Sequence, residues 1–170
     1  SPRASVTTSV YLDGLDSPRG LAFGPEGALY VVETGNATIN GPCVPVARGQ
    51  NCYSGTGAVT RYWKGRRERV VSGLPSIYNP ATLDIAGPHD IAFLGRGNAV
   101  VSIGWGADPV LRSGLGALGA NFGHLIQLSA SGQWRSVADI SAVEIAENPA
   151  GGPQDSNPYG VLNEPGRRFA

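Results

Sequence analysis

The chain has 170 residues, 41% hydrophobic and 15% charged, with 13 basic and 13 acidic side chains that leave a formal charge of zero. That is the composition of a folded globular chain with a real core, and it excludes both a disordered polyelectrolyte and a protein held to nucleic acid by net charge. No apolar run approaches the roughly 18 residues of a membrane-spanning helix, and "SPRASVTTSV" lacks the charged and apolar regions of a signal peptide.

The first segment, "SVTTSVYLDGL", reads as a strand over residues 6–12 within an N-terminal stretch 1–16. The chain then enters "SPRGLAFGPEGALYVVET", where "GLAF" and "ALYVVE" are short apolar runs separated by Gly24, Pro25 and Gly27, the pattern of a hairpin. A polar loop, residues 36–56, follows and contains Cys43 and Cys52, nine positions apart. A disulfide is the natural reading in an oxidising compartment, two free thiols the alternative; His89 and His124 have no ligand spacing to the pair that would make a metal site. "GAVTRYW", a Lys64–Gly65 turn and "RRERVVSGL" supply two more strands, with "WKGRRER" a solvated edge.

The same order then recurs. Pro18, Pro88 and Pro158 stand 70 positions apart, and the residues after them align as "RGLAF", "HDIAF" and "YGVLN". The second unit runs through "DIAFL", "AVVSIG", a Gly-rich insertion over 105–121, "GHLIQLS", a Ser131–Gly132 turn and "QWRSVADI". Helix is expected at most for a turn or two in "ISAVEIAEN". Four strands and a long insertion per unit is the pattern of propeller blades. The expected fold is therefore all-β. It has a first blade over 17–75 with the 36–56 insertion, a second over 87–147, the start of a third over 157–170, and residues 1–16 as an outer strand. Leu21, Ile91 and Val161 are expected at matching, buried inner-strand positions. Trp63, Trp105 and Trp134 are expected as packing residues, with Trp105 the most exposed because "GWGADP" reads as a loop.

Arg19, His89 and Tyr159 fall at one equivalent position of the three units, before the innermost strand, where blades converge on the axis. Together with Asp90 they are the candidate ligand-binding residues of a channel mouth, against the plainer alternative that each solvates or fills it. His89 and Asp90 could form a base with an orienting carboxylate, but neighbours on a strand point to opposite faces. Glu33, Asp90, Asp108, Asp155 and Asn157 offer oxygens that would suit calcium, without the dense clustering such a site needs, and no cofactor is predicted. No G-x-S-x-G elbow is present. "NAT" at Asn36 matches a glycosylation acceptor.

The stretches "SPRGLAFGPEGALYVVETG", "GAVTRYWKGRRERVVSGLPS", "GPHDIAFLGRGNAVVSIG" and "DSNPYGVLNEPG" resemble the ScyD/ScyE family, secreted bacterial proteins similar to NHL-repeat six-bladed propellers. The resemblance spans nearly the whole chain. It implies a longer parent propeller of which this is the N-terminal part, and an association with pigment biosynthesis. The chain has no methionine, so processing from a precursor and secretion to an extracellular or periplasmic space are expected. Three function classes follow. The first is a secreted, non-catalytic scaffold for binding or assembly. The second is a structural subunit of a ring or filament joined through open strand edges. The third is a lactonase-type or pigment-pathway enzyme whose metal is supplied by missing blades. The expected partners are those missing blades or other copies of the chain, with no nucleic acid and no membrane span.

Overall fold

The computed structural model describes residues 6–95, 97–164 and 167–169. The fold is all-β and propeller-like, and it does not close into a ring. In the first blade β1 (Pro18–Phe23) and β2 (Leu29–Glu33) form the inner hairpin. Its tight turn is closed by the Gly24 N–H on the Ala28 carbonyl, with Gly27 at φ +83°. The chain then leaves the blade for a hairpin of β3 (Cys43–Val46) and β4 (Gly49–Tyr53). It returns as β5 (Gly57–Trp63) and β6 (Arg66–Leu74), giving the sheet order β1-β2-β5-β6. Lys64 and Gly65 both have positive φ, the requirement of the two-residue turn whose twist matches its strands.

Two three-residue strands, β7 (Ile77–Asn79) and β8 (Asp84–Ala86), link the blades; β7 pairs onto β4 and β8 onto β7, so that β3-β4-β7-β8 is a third antiparallel four-stranded sheet. The sequence marks 36–56 only as an insertion and gives no strand signal over 77–86. The second blade is β9 (Pro88–Phe93), β10 (Asn98–Ile103), β11 (His124–Ser129) and β12 (Trp134–Asp139), paired in that order. Its insertion is a kinked 3₁₀ segment, Pro109–Gly119, and a short helix α1 (Ser141–Glu147) follows the blade. The start of a third unit is the hairpin β13 (Leu162–Glu164) with β14 (Arg167–Phe169).

The blades pack face to face. Val32, Val59 and Leu74 of the first share one apolar cluster with Ile91, Val101, Ile103 and Ile126 of the second, and Tyr30 meets Phe93 edge-on at 4.8 Å. Val44, Ile77, Leu115 and Phe122 extend that cluster under the third sheet. Burial of this continuous surface is the main force holding the two blades together.

Three expectations require correction. Residues 6–12 form no strand: although they lie beside β5 and β6, their backbone joins no ladder among the described residues. Residues 1–5 of that expected outer strand lie outside the described residues. The segment instead lies against the first blade through Tyr11, whose ring meets Tyr62 at 5.2 Å, and through Arg67, which donates to the Asp13 carbonyl. Of the matched apolar trio only Ile91 is buried, at 3% exposure; Leu21 is 62% exposed, because its face of β1 has no sheet against it, and Val161 precedes β13. Trp105 is fully buried rather than exposed: its ring packs on Phe122 at 5.2 Å and its indole N–H donates to the Asp108 carbonyl. Trp134 packs against the core as expected, and Trp63 is half-buried.

Candidate functional site

Arg19 near the start of β1, His89 in β9 and Tyr159 ahead of β13 come together where the three units converge. The Arg19 Nη1 donates to the Tyr159 hydroxyl at 3.3 Å, and the His89 and Tyr159 rings lie 4.5 Å apart at 30°. Repeated placement of the residue after proline at the head of each inner strand is what aligns them. Gly104 permits the approach of the third unit, since a Cβ there would overlap both the His89 ring and the Asn157 amide oxygen.

Asp90 has a different role. Its Oδ2 accepts the Val161 N–H at 3.0 Å and its own N–H donates to the Ser102 hydroxyl, which donates in turn to the Tyr159 carbonyl at 2.8 Å. Asp90 and Ser102 thus fasten the backbone that carries Tyr159. His89 and Asp90 are not bonded to one another; the His89 Nδ1 lies 3.1 Å from the Pro158 carbonyl. A carbonyl only accepts, so Nδ1 carries the proton. Burial, reinforced by the nearby Arg19 charge, pulls the His89 pKa below its ordinary value despite the Pro158 hydrogen bond. The ring is neutral, and its Nε2 presents a lone pair.

Arg19, His89 and Tyr159 line a cleft of about 720 Å³ whose other walls come from the third sheet and from the 105–111 and 153–157 segments. This is the volume of a small-molecule site. Residues of the third sheet supply Arg48, Asn51, Asn79 and Asp84, and the remaining segments supply Trp105, Asp108, Gln154, Asp155 and Asn157. The isolated bridge between Ala107 and Ser156 ties these two segments together. Asn51 and Asn79 are buried beside each other, with the Asn79 Nδ2 donating to the Asn51 Oδ1 at 3.2 Å. The sequence signalled none of the third-sheet contribution, because it depends on β4 pairing with a strand of three residues across the whole of β5 and β6.

Asp108, Asp155 and Asn157, considered above as oxygen donors, line this cleft; Glu33 lies elsewhere, buried under Arg69. Among the described residues no three His, Cys, Asp or Glu side chains converge as metal ligands do. Cys43 and Cys52 form a disulfide, facing each other across β3 and β4. Among the described residues no helix is long and apolar enough to cross a membrane. The Asn36 amide is half-buried, its Nδ2 donating to Asp16 and its Oδ1 accepting from the Thr38 N–H.

Two other features engage their charged groups with one another, although the His124 Nε2 is buried without a hydrogen bond. A cavity of about 630 Å³ lies between the blades, with Tyr30, Ile91, Phe93 and Leu128 in its wall, but its charged groups bind one another: Arg61 bonds both Glu26 and Glu68. Ser136, His124 and Asp139 lie in a row, with the Ser136 hydroxyl 2.6 Å from the His124 Nδ1 and the Asp139 Oδ2 3.2 Å from Nε2. Arg112 holds Asp139 with two bonds and also donates to the Phe122 carbonyl, clamping the 3₁₀ segment to the outer strands. Burial lowers the His124 pKa, an effect that Asp139 opposes and Arg112 adds to. A carboxylate doubly bonded to a guanidinium does little to make that imidazole a base.

Comparison with family models, with curated proteins and with solved structures found no match to this chain.

Proposed function

We propose that the chain is part of a secreted, non-catalytic propeller scaffold that binds a small polar ligand in the cleft between its blades and its third sheet. The observation that carries this reading is the cleft itself: polar groups from three separate parts of the chain converge on one concavity of ligand size. The disulfide supports an oxidising compartment. The resemblance to the ScyD/ScyE family, with its six-bladed parent, agrees with the blade order. A ligand that binds only the folded chain raises its unfolding temperature. Screening neutral sugars, sugar acids, amino acids and inorganic anions by thermal unfolding tests the reading. At least one class should stabilise the parent and fail to stabilise Asn51→Ala; stabilisation by none of the classes contradicts it.

A second reading, assembly through uncovered blade surface, is supported by Leu21 and Phe23, which are 62% and 71% exposed side by side on one face of β1. Their opposite neighbours on the strand pack against the second blade. A further blade, from the remainder of the parent or from another copy, would cover this face as the second blade covers the other. Light scattering distinguishes the cases: association that Leu21→Asp and Phe23→Asp abolish supports copy-to-copy assembly, and a dispersed monomer leaves only the parent's own blades as partner.

A further inference from the structure

We propose that the cleft takes a small hydroxylated carboxylate, with sugar acids as the type: Arg19 receives the carboxylate, and His89 and Asn51 receive ligand hydroxyls. This rests on the reading of the cleft as a binding site.

Three observations define the chemistry. First, Arg19 has no carboxylate partner among the described residues; its one bond is to the neutral Tyr159 hydroxyl. A guanidinium offers five donors in a fork that fits a carboxylate, so most of its capacity is unused. Second, His89 is only 2% exposed, yet its ring lines the cleft and Nε2 has no protein partner among the described residues. Because Nδ1 donates to Pro158, Nε2 is an acceptor, and a ligand hydroxyl is the complementary donor. Third, Asn51 is 3% exposed and its Oδ1 is occupied by Asn79, which leaves Nδ2 as a donor without a protein acceptor among the described residues. Neither atom is sealed away from solvent, so both open onto the cleft, where a ligand hydroxyl or a water can reach them.

The remaining charges set the ligand's limits. Arg48 is matched by Asp84 at 3.9 Å. Asp108 spends one oxygen on the Val110 N–H, and Asp108 and Asp155 flank the Ala107–Ser156 bridge. These carboxylates accept hydroxyls and repel a ligand that carries a second negative charge. A monoanionic polyol fits; a polyanion does not. Tyr159, half-exposed and stacked on His89, offers a ring face against which a sugar can lie.

The test is NMR titration of the full chain with glucuronate, glucose and inorganic phosphate, on the parent and on Arg19→Gln, an exposed position whose replacement leaves the packed core untouched. Glucuronate should bind the parent at least about tenfold more tightly than glucose, the scale of one charge-assisted contact. Arg19→Gln should remove that preference while keeping the glucose affinity. Equal binding of glucose and glucuronate, an unchanged Arg19→Gln variant, or tighter binding of phosphate than of glucuronate overturns the proposal. If neither sugar perturbs the cleft but an amino acid or another screened compound does, the ligand class is wrong and the cleft remains a binding site. If no compound perturbs it, both readings fall.

Discussion

The imidazole of His89 and the phenol ring of Tyr159, 70 positions apart in the sequence, lie against each other with centroids 4.5 Å apart, and the contact joins the second blade to the start of the third. Tyr159→Phe should preserve that stacking and change stability by less than about 0.5 kcal/mol, as surface substitutions do. It should nevertheless free Arg19 of its bond to the Tyr159 hydroxyl and alter ligand affinity. Chemical denaturation beside a binding titration checks the separation of the two effects; a Tyr159→Phe variant that unfolds at much lower denaturant would mean that the hydroxyl is structural.

The same histidine makes stability depend on pH. Burial holds the native His89 pKa below its ordinary value of 6.5, so the unfolded chain binds more protons wherever the pH lies between the two values. The stabilisation is complete above the unfolded pKa and is lost as pH falls through the native one. His124, also lowered by burial, acts in the same direction. Urea unfolding at pH 7.5 and at about pH 5.5 should show lower stability at the acidic pH, with a smaller decrease in His89→Asn. A rise in stability toward pH 5.5 would contradict the neutral, buried imidazole.

Glu33 is fully buried and held by Arg69 at 2.7 Å, by the Thr60 hydroxyl and by the Asp16 N–H at 2.6 Å. Burial alone would raise its pKa, but these bonds, Arg69 foremost, bring it below the usual carboxylate value. Its contribution is therefore present above the unfolded pKa and lost as pH falls through the lower native value. Arg69→Gln should cost about 3 kcal/mol by leaving a buried carboxylate poorly compensated. It should also speed hydrogen exchange at the Asp16 and Thr34 amides, which fasten residues 16–17 to the blade. Unchanged exchange would show that Arg69 does not hold this segment.

Ile91 and Leu21 occupy equivalent places in the repeat and should respond oppositely to the same substitution. Ile91→Asp introduces an unpaired charge into the core and should cost several kcal/mol, on the order of 4. Leu21→Asp, at an exposed position, should change the stability of this chain by less than about 0.5 kcal/mol. Thermal unfolding of both variants decides; equal losses would mean that Leu21 is covered in solution.

Much of the architecture was legible in the sequence because prolines, turn glycines and short apolar runs recur together. Gly24, Gly27, Lys64 and Gly65 placed the turns, and the two blades followed. The third sheet was not legible. "IYN" and "DIA" are too short to show a strand period, and they become strands only by pairing with the disulfide hairpin. Trp105 misled for a related reason: flanking glycines signal a loop but say nothing of what covers it, and Phe122 does. Residues 6–12 have strand-forming side chains, yet they meet the first blade through side chains, Tyr11 on Tyr62 and Arg67 on the Asp13 carbonyl, rather than through a ladder, and local propensity alone does not impose one. In the site, Arg19, His89 and Tyr159 were found by their place in the repeat, whereas Asn51 owes its position to the unpredicted sheet.

The disulfide should stabilise that sheet. Closing a loop this short is worth roughly 2–3 kcal/mol in the chain-entropy treatment. Replacing both Cys43 and Cys52 by serine should loosen β3, β4 and the cleft wall they build while leaving the two blades intact. Hydrogen exchange resolved by segment checks this: protection should fall over residues 43–53 and 77–86 and persist in β10 and β11. Uniform loss across both blades would contradict the separation.

The claim that the cleft is a ligand site is tested most directly by mapping amide and side-chain NMR shifts over the whole chain during titration with the compound that most stabilises it. The account predicts perturbations concentrated at Arg19, Asn51, His89, Trp105 and residues 153–159, all lost together in Asn51→Ala. Shifts confined to the cavity between the blades, around Tyr30 and Phe93, or scattered over the surface without saturation, would contradict it.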